Sequence, residues 1–134
     1  MHRNSHIAVL LAVTMLICFG ACSARKDVSD IAARAAKQYY DYLLEGKYES
    51  FVDGIHQPDS IPESYREQLV RNARMFVSQQ DLEHRGLKEI RIVDVAADME
   101  QHTANVFLVF CYGDSTSEEI CVPMVENKGI WFLR

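Results

Sequence analysis

No apolar run in this chain is long enough to cross a bilayer as a helix. The longest, Ile7 to Phe19, is 13 residues, well short of the roughly 20 that a membrane-spanning helix needs. Catalytic signatures are equally scarce. There is no G-x-S-x-G elbow, no phosphate-cradling glycine loop and no dinucleotide-binding glycine fingerprint, which excludes the usual hydrolase, kinase and dehydrogenase designs. His56, His84 and His102 are far apart, and Cys111 and Cys121 lack the paired close spacings of a zinc ribbon, so neither a metal nor a cofactor is expected. Basic residues do not cluster, and the nucleic-acid class of partner is discounted with them. Low-complexity segments, long linkers and internal repeats are missing too, which leaves one domain with one core.

What is present begins with the layout of the first 27 residues. A polar start carrying Arg3 leads into the short apolar run, and the run ends in the small pair Gly20-Ala21 followed by Cys22. That is the order of a secretory signal. The segment around Cys22 resembles the lipobox of bacterial lipoproteins, with Phe19 where that family usually has Leu. The resemblance implies a signal peptide over 1–21, cleavage before Cys22 and acylation of that residue, then a tether over 22–26. Several acyl chains anchor stably where one binds only marginally. The mature chain would carry thirteen Lys and Arg against nineteen Asp and Glu, a formal charge of −6. Ser23 to Lys26 reach about 14 Å at most, which would hold the domain of residues 27–134 close to its membrane.

Past the tether, the spacing predicts helices first and strands after. Asp27 to Glu45 repeats apolar residues at three- and four-residue steps (Val28, Ile31, Ala32, Ala35, Tyr39, Tyr42, Leu43) and is stopped by Gly46, as an amphipathic helix should be. Lys47 to Ile55 reads as a short second helix. A third begins at "SIPE", where Ser60 and Glu63 have capping-box spacing, and ends at Gly86. The period then changes to two, and 90–99, 103–112, 118–125 and 129–134 read as four strands. The fold class is α+β: N-terminal helices packed on an antiparallel sheet.

The stretches "AAKQYYDYLLEGKYESFVDGI" (35–55), "IPESYREQL" (61–69), "YGDSTSEEICVPMV" (112–125) and "GIWFLR" (129–134) resemble the nuclear transport factor 2-like (cystatin-like) domains. Among these, they are most similar to small bacterial lipoproteins of unassigned function. The resemblance implies a cone, with a curved four-stranded sheet wrapped on the first helix. Some members do acid-base chemistry inside that cone, using a carboxylate beside a tyrosine in an apolar pocket. Asp94, on the strand face expected for Ile90, Ile92 and Ala96, and Tyr39 and Tyr42 are the residues for such a role here. Phe110, Tyr112 and Trp131 join them as pocket-lining positions. The simpler reading makes the tyrosines core residues and the aromatics core filling, and it is preferred.

Two cysteines remain in the mature domain. Pairing residues whose numbers sum to 232 puts Leu108 opposite Met124, Phe110 opposite Val122 and Tyr112 opposite Ile120. That register makes one apolar face and sets Cys111 directly opposite Cys121, within reach of a disulfide in an oxidising compartment. The functional expectation is a cell-envelope lipoprotein, anchored on the periplasmic side of the outer membrane. Its domain would act as a non-catalytic binding or structural module, and its partner would be an envelope protein or a small apolar ligand. The alternative is a small-molecule-binding or isomerase- or dehydratase-like enzyme using the cone pocket.

Overall fold

The computed structural model describes residues 28–134. The signal segment, Cys22 and the tether lie outside the described residues. Residues 28–44 are helical (α1), followed by α2 (Tyr48–Asp53) and α3 (Glu63–His84). Four strands then run as an antiparallel meander in the order β1 (Leu87–Asp98), β2 (Thr103–Tyr112), β3 (Ser117–Asn127) and β4 (Ile130–Leu133). The α+β class read from periodicity is the fold.

Alternation decides which side of the sheet is buried. Ala104, Val106, Leu108, Phe110 and Tyr112 of β2 are buried, as are Val122 and Met124 of β3 and Trp131 and Leu133 of β4. Against this inner face α1 lays Ala32, Ala33 and Ala36, all at most 3 % exposed. Alanine has no bulk beyond Cβ, so the helix can lie close to the sheet. The buried stripe is therefore turned from the expected one: Ile31 is 48 % exposed, and Tyr40 reaches Phe51 and Phe110, each 5.4 Å away between ring centroids. Ile90, Leu108, Met124 and Val106 sit at the centre, almost wholly out of water.

The third helix departs from its expected start. Its N-cap is Pro62, no side chain caps it, and the Ser60–Glu63 capping box does not form. Proline's missing N–H makes the first turn easy to begin there. At the other end Arg85 adopts a left-handed conformation (φ 58°), and Gly86 follows at φ 93° with its N–H on the Gln80 carbonyl.

The β2–β3 register corrects the predicted one. Cys111 lies opposite Ser117, and Cys121 lies opposite Phe107. Asp114 accepts hydrogen bonds from both the N–H and the hydroxyl of Thr116, and the Tyr112 N–H closes the turn on the Thr116 carbonyl at 3.0 Å. This compact turn restarts the ladder at Ser117, so every partner moves four residues. Parity is unchanged, which is why the apolar face survives while the cysteines separate by four positions, or about 13 Å at ~3.3 Å per residue. Both are free thiols, and no disulfide joins them.

One junction fastens the helices to the last strand. The Tyr39 hydroxyl donates to the Trp131 carbonyl at 2.7 Å. Leu133 bridges Ile55 in parallel: its N–H donates to the Gly54 carbonyl, and its carbonyl accepts from the His56 N–H, both at 2.7 Å. Gly54 fits because it has no side chain; a Cβ there would stand 2.3 Å from Tyr39 Cδ1. Gly54→Ala would ordinarily gain from a stiffer unfolded chain, by roughly 0.4–1 kcal/mol. Here the overlap with a ring already held at its hydroxyl outweighs that gain. We expect Gly54→Ala to lose about 2 kcal/mol in urea unfolding, and Tyr39→Phe about 1 kcal/mol. A Gly54→Ala midpoint at or above the wild type would show the junction to be loose.

Candidate functional site

Three places hold chemistry-bearing side chains. The first is a groove of about 420 Å³ at the end of the sheet. The chain leaving α2 runs through Ile55, His56 and Pro58 to Ile61 without regular structure, and Arg66 of α3 closes one side. Asn127 and Phe132 close the other. The position of His56 follows from the junction above, since its N–H is bonded to Leu133; its ring lies 5.8 Å from that of Phe132. Arg66 Nη2 donates to Asp53 Oδ1 at 2.9 Å, and Glu63 is 4.0 Å away. The hydrogen bond and charge of Asp53 raise the Arg66 pKa above its ordinary value. With its charge answered by Asp53, the arginine is no free anion site. The groove offers apolar and aromatic wall from Val52, Ile55, Ile61 and Phe132, with the His56 ring, the Asn127 amide and the Arg66–Asp53 pair at its margins. Gln57, Asp59 and Ser60 line it too, and apolar wall interleaved with polar side chains suits a small amphipathic ligand or a short segment of another protein.

The second place is the foot of α3. His84 Nδ1 lies 3.0 Å from Asp114 Oδ2, and the imidazole stacks on Tyr112 with centroids 4.3 Å apart. Tyr112 donates its hydroxyl to Glu118 Oε2 at 2.9 Å. Burial, then the Glu118 hydrogen bond, pushes the Tyr112 pKa up to about 12. The Thr116 hydroxyl and N–H, with His84 behind them, hold Asp114 down to about 2. A histidine oriented by a carboxylate could serve as a base, but Asp114 is committed to its own turn and Tyr112 covers one imidazole face. Backbone bonds from Gly113 N–H to the Gly86 carbonyl (2.8 Å) and from Asp114 N–H to the His84 carbonyl (3.0 Å) identify the cluster as a latch. It docks the β2–β3 turn on the helix end.

The third place is the set named from sequence, and the fold does not gather it into one cavity. Tyr39 is spent on the Trp131 carbonyl, with the Tyr42 ring 6.5 Å away. Phe110, Tyr112 and Trp131 are buried core residues. Asp94 is exposed, lies on the outer face opposite Phe107, and bonds the N–H of its own neighbour Val95 at 2.8 Å. The register shift between Ile92 and Asp94 is a β-bulge, and its one extra residue moves Asp94 away from the face expected for it. None of these six residues lines the groove. His56 and Arg66 went unassigned because their proximity to Phe132 depends on the β4–Ile55 bridge, which periodicity cannot show. Among the described residues no group of three His, Cys, Asp or Glu could hold a metal ion, and no helix is long and apolar enough to cross a membrane.

With this geometry in view, the likeness to known structures is informative for fold. A nuclear transport factor 2-like protein from Campylobacter jejuni, solved as a candidate transpeptidase, superposes with a TM-score of 0.59 at 13 % identity. The match covers 73 % of this chain and 92 % of that one. A SEC-C motif protein from Rhodopseudomonas palustris reaches a TM-score of 0.49 at 12 % identity, over 74 % of this chain and 71 % of that one. No protein-family model matches the chain, and no curated protein matches it. The first likeness supports a nuclear transport factor 2-like fold, and at this identity it speaks for fold alone.

The latch has a pH signature. An unfolded aspartate titrates near 4, and Asp114 titrates near 2 when folded, so its contribution is present above pH 4 and lost as pH falls through 2. Asp114→Asn should flatten the fall in stability between pH 4 and 2, read as the urea midpoint against pH. A variant with the wild-type slope would place that titration elsewhere.

Proposed function

We propose that this protein is a lipid-anchored component of a bacterial cell envelope whose folded domain binds a partner without transforming it. Cys22, in its lipobox-like setting, is the anchor, on the periplasmic side of the outer membrane. The observation that carries the binding reading is the groove bounded by His56, Ile61, Arg66, Asn127 and Phe132. It lies beside a core that side chains already fill: Val106, Leu108 and Met124 have no exposed surface. Room for a ligand is therefore at the end of the sheet and not between sheet and α1. The isomerase-like reading calls for a carboxylate among the inner tyrosines, and Asp94 stands on the opposite face.

Two measurements test this. Mass spectrometry of the mature N-terminus should find an acylated Cys22, and Cys22→Ala should move the protein from the membrane to the soluble fraction. An unmodified terminus, or an unchanged distribution, would contradict the anchor. For the groove, small amphipathic compounds titrated into the labelled protein should shift amide resonances at His56, Ile61, Arg66, Asn127 and Phe132, and Phe132→Ala should weaken binding by about tenfold. Shifts confined to α1 and the inner sheet face would instead favour an internal pocket.

A further inference from the structure

The two edges of the sheet differ. The outer side of β4 is occupied by Tyr39, Gly54 and His56. β1 is the terminal strand at the other side, and among the described residues no strand pairs with its outer edge. It is a twelve-residue strand with Ile92 39 % and Val93 52 % exposed. An edge of that kind is a template for another strand.

The sequence of this edge says which strand. Residues 90–95 read Ile-Arg-Ile-Val-Asp-Val. Laid antiparallel on a second copy of itself about a twofold axis between Ile92 and Val93, the segment places Ile90 opposite Val95. It places Arg91 opposite Asp94 and Ile92 opposite Val93, each pairing occurring twice. Directly paired residues must share a face of the sheet. In a regular strand this arrangement is impossible, because positions 91 and 94, or 90 and 95, would point to opposite faces. The bulge at Val93 removes the obstacle. Ile90 and Val95, opposite Phe110 and Val106 of β2, both lie on the inner face; Arg91 and Asp94, opposite Val109 and Phe107, both lie on the outer face.

We infer that β1 is a self-association edge, through which two copies of this chain join their sheets into one continuous eight-stranded sheet. The charges favour a second copy over an unrelated peptide. Charged residues on an edge ordinarily guard it, and a guard of one sign would repel an identical chain. Here the signs are opposite at the two positions that the twofold axis brings together. The present partners of both groups are easily exchanged: Arg91 Nη2 bonds the exposed Glu89 at 3.0 Å, and Asp94 bonds the adjacent Val95 N–H. Exposed pairs of this sort hold weakly. Such an isologous interface closes on itself and gives a dimer, not a fibre.

A charge-swap set tests the inference on the full chain, in a density-matched detergent, by sedimentation at micromolar concentrations. The wild type should be dimeric. Arg91→Asp alone faces Asp94 of the second copy with like charge, and Asp94→Arg alone faces Arg91 in the same way. Each should self-associate at least about tenfold more weakly. Mixing the two variants restores both opposite-charge pairs and should restore association. Because both side chains are exposed, each variant should melt with the wild type, and the wild type's own state decides if one does not. A wild type that stays monomeric to about 100 μM, single variants that dimerise like the wild type, or a mixture that stays monomeric would each overturn it.

Discussion

The Tyr39 hydroxyl bound to the Trp131 carbonyl, over a glycine that leaves room for the ring, is the constraint on which the rest of this fold depends. A four-residue terminal strand paired on one side only is a weak element. Tyr39, Gly54 and His56 give β4 a second set of partners, and the polar groups they satisfy are the outward-facing ones at Trp131 and Leu133. Burying unmet backbone groups would cost more than the bonds gain in isolation. With β4 held, the inner face closes over α1, and the segment after α2 is fixed across the sheet end. The groove is a by-product of that closure: His56 and Phe132 meet there because Leu133 is bonded to His56.

This closure makes the molecule asymmetric. At one edge the sheet is finished by its own helices and loop. At the other, β1 carries exposed aliphatics, a bulge and paired opposite charges. The interior leaves little space for a substrate, since alanines bring α1 down onto the sheet and Tyr40, Phe51, Phe76 and Phe110 fill the margin. The surface left open lies at the periphery, in the groove at the end of the sheet and along the edge of β1 that is unpaired among the described residues.

Much of this architecture was legible in the sequence, for a definite reason. Period-two alternation fixes which face of a strand is buried, and Leu108, Phe110, Val122 and Met124 were assigned to the core on that signal alone. Alternation fixes register only to within an even number of residues, however. The pairing of Leu108 with Met124 and its pairing with Ile120 bury the same face. The choice between them lay in how Asp114 folds the turn onto Thr116, and reading past that turn brought Cys111 and Cys121 together wrongly. A bulge is equally silent: one added residue at Val93 reversed the face of Asp94. The site was less legible than the fold. Arg66 and Asp53 are thirteen residues apart, and His56 and Phe132 meet through a bridge between a loop and the last strand, so no local pattern joins them.

Hydrogen exchange at single amides tests the central role of the β4 junction most directly. The amides of Leu133 and His56, each bonded across the junction, should exchange only through global unfolding, as slowly as the β2 amides at Val106 and Leu108. Leu133 and His56 exchanging by local opening, while β2 stays protected, would show that β4 frays independently. The junction would then decorate the fold without holding it.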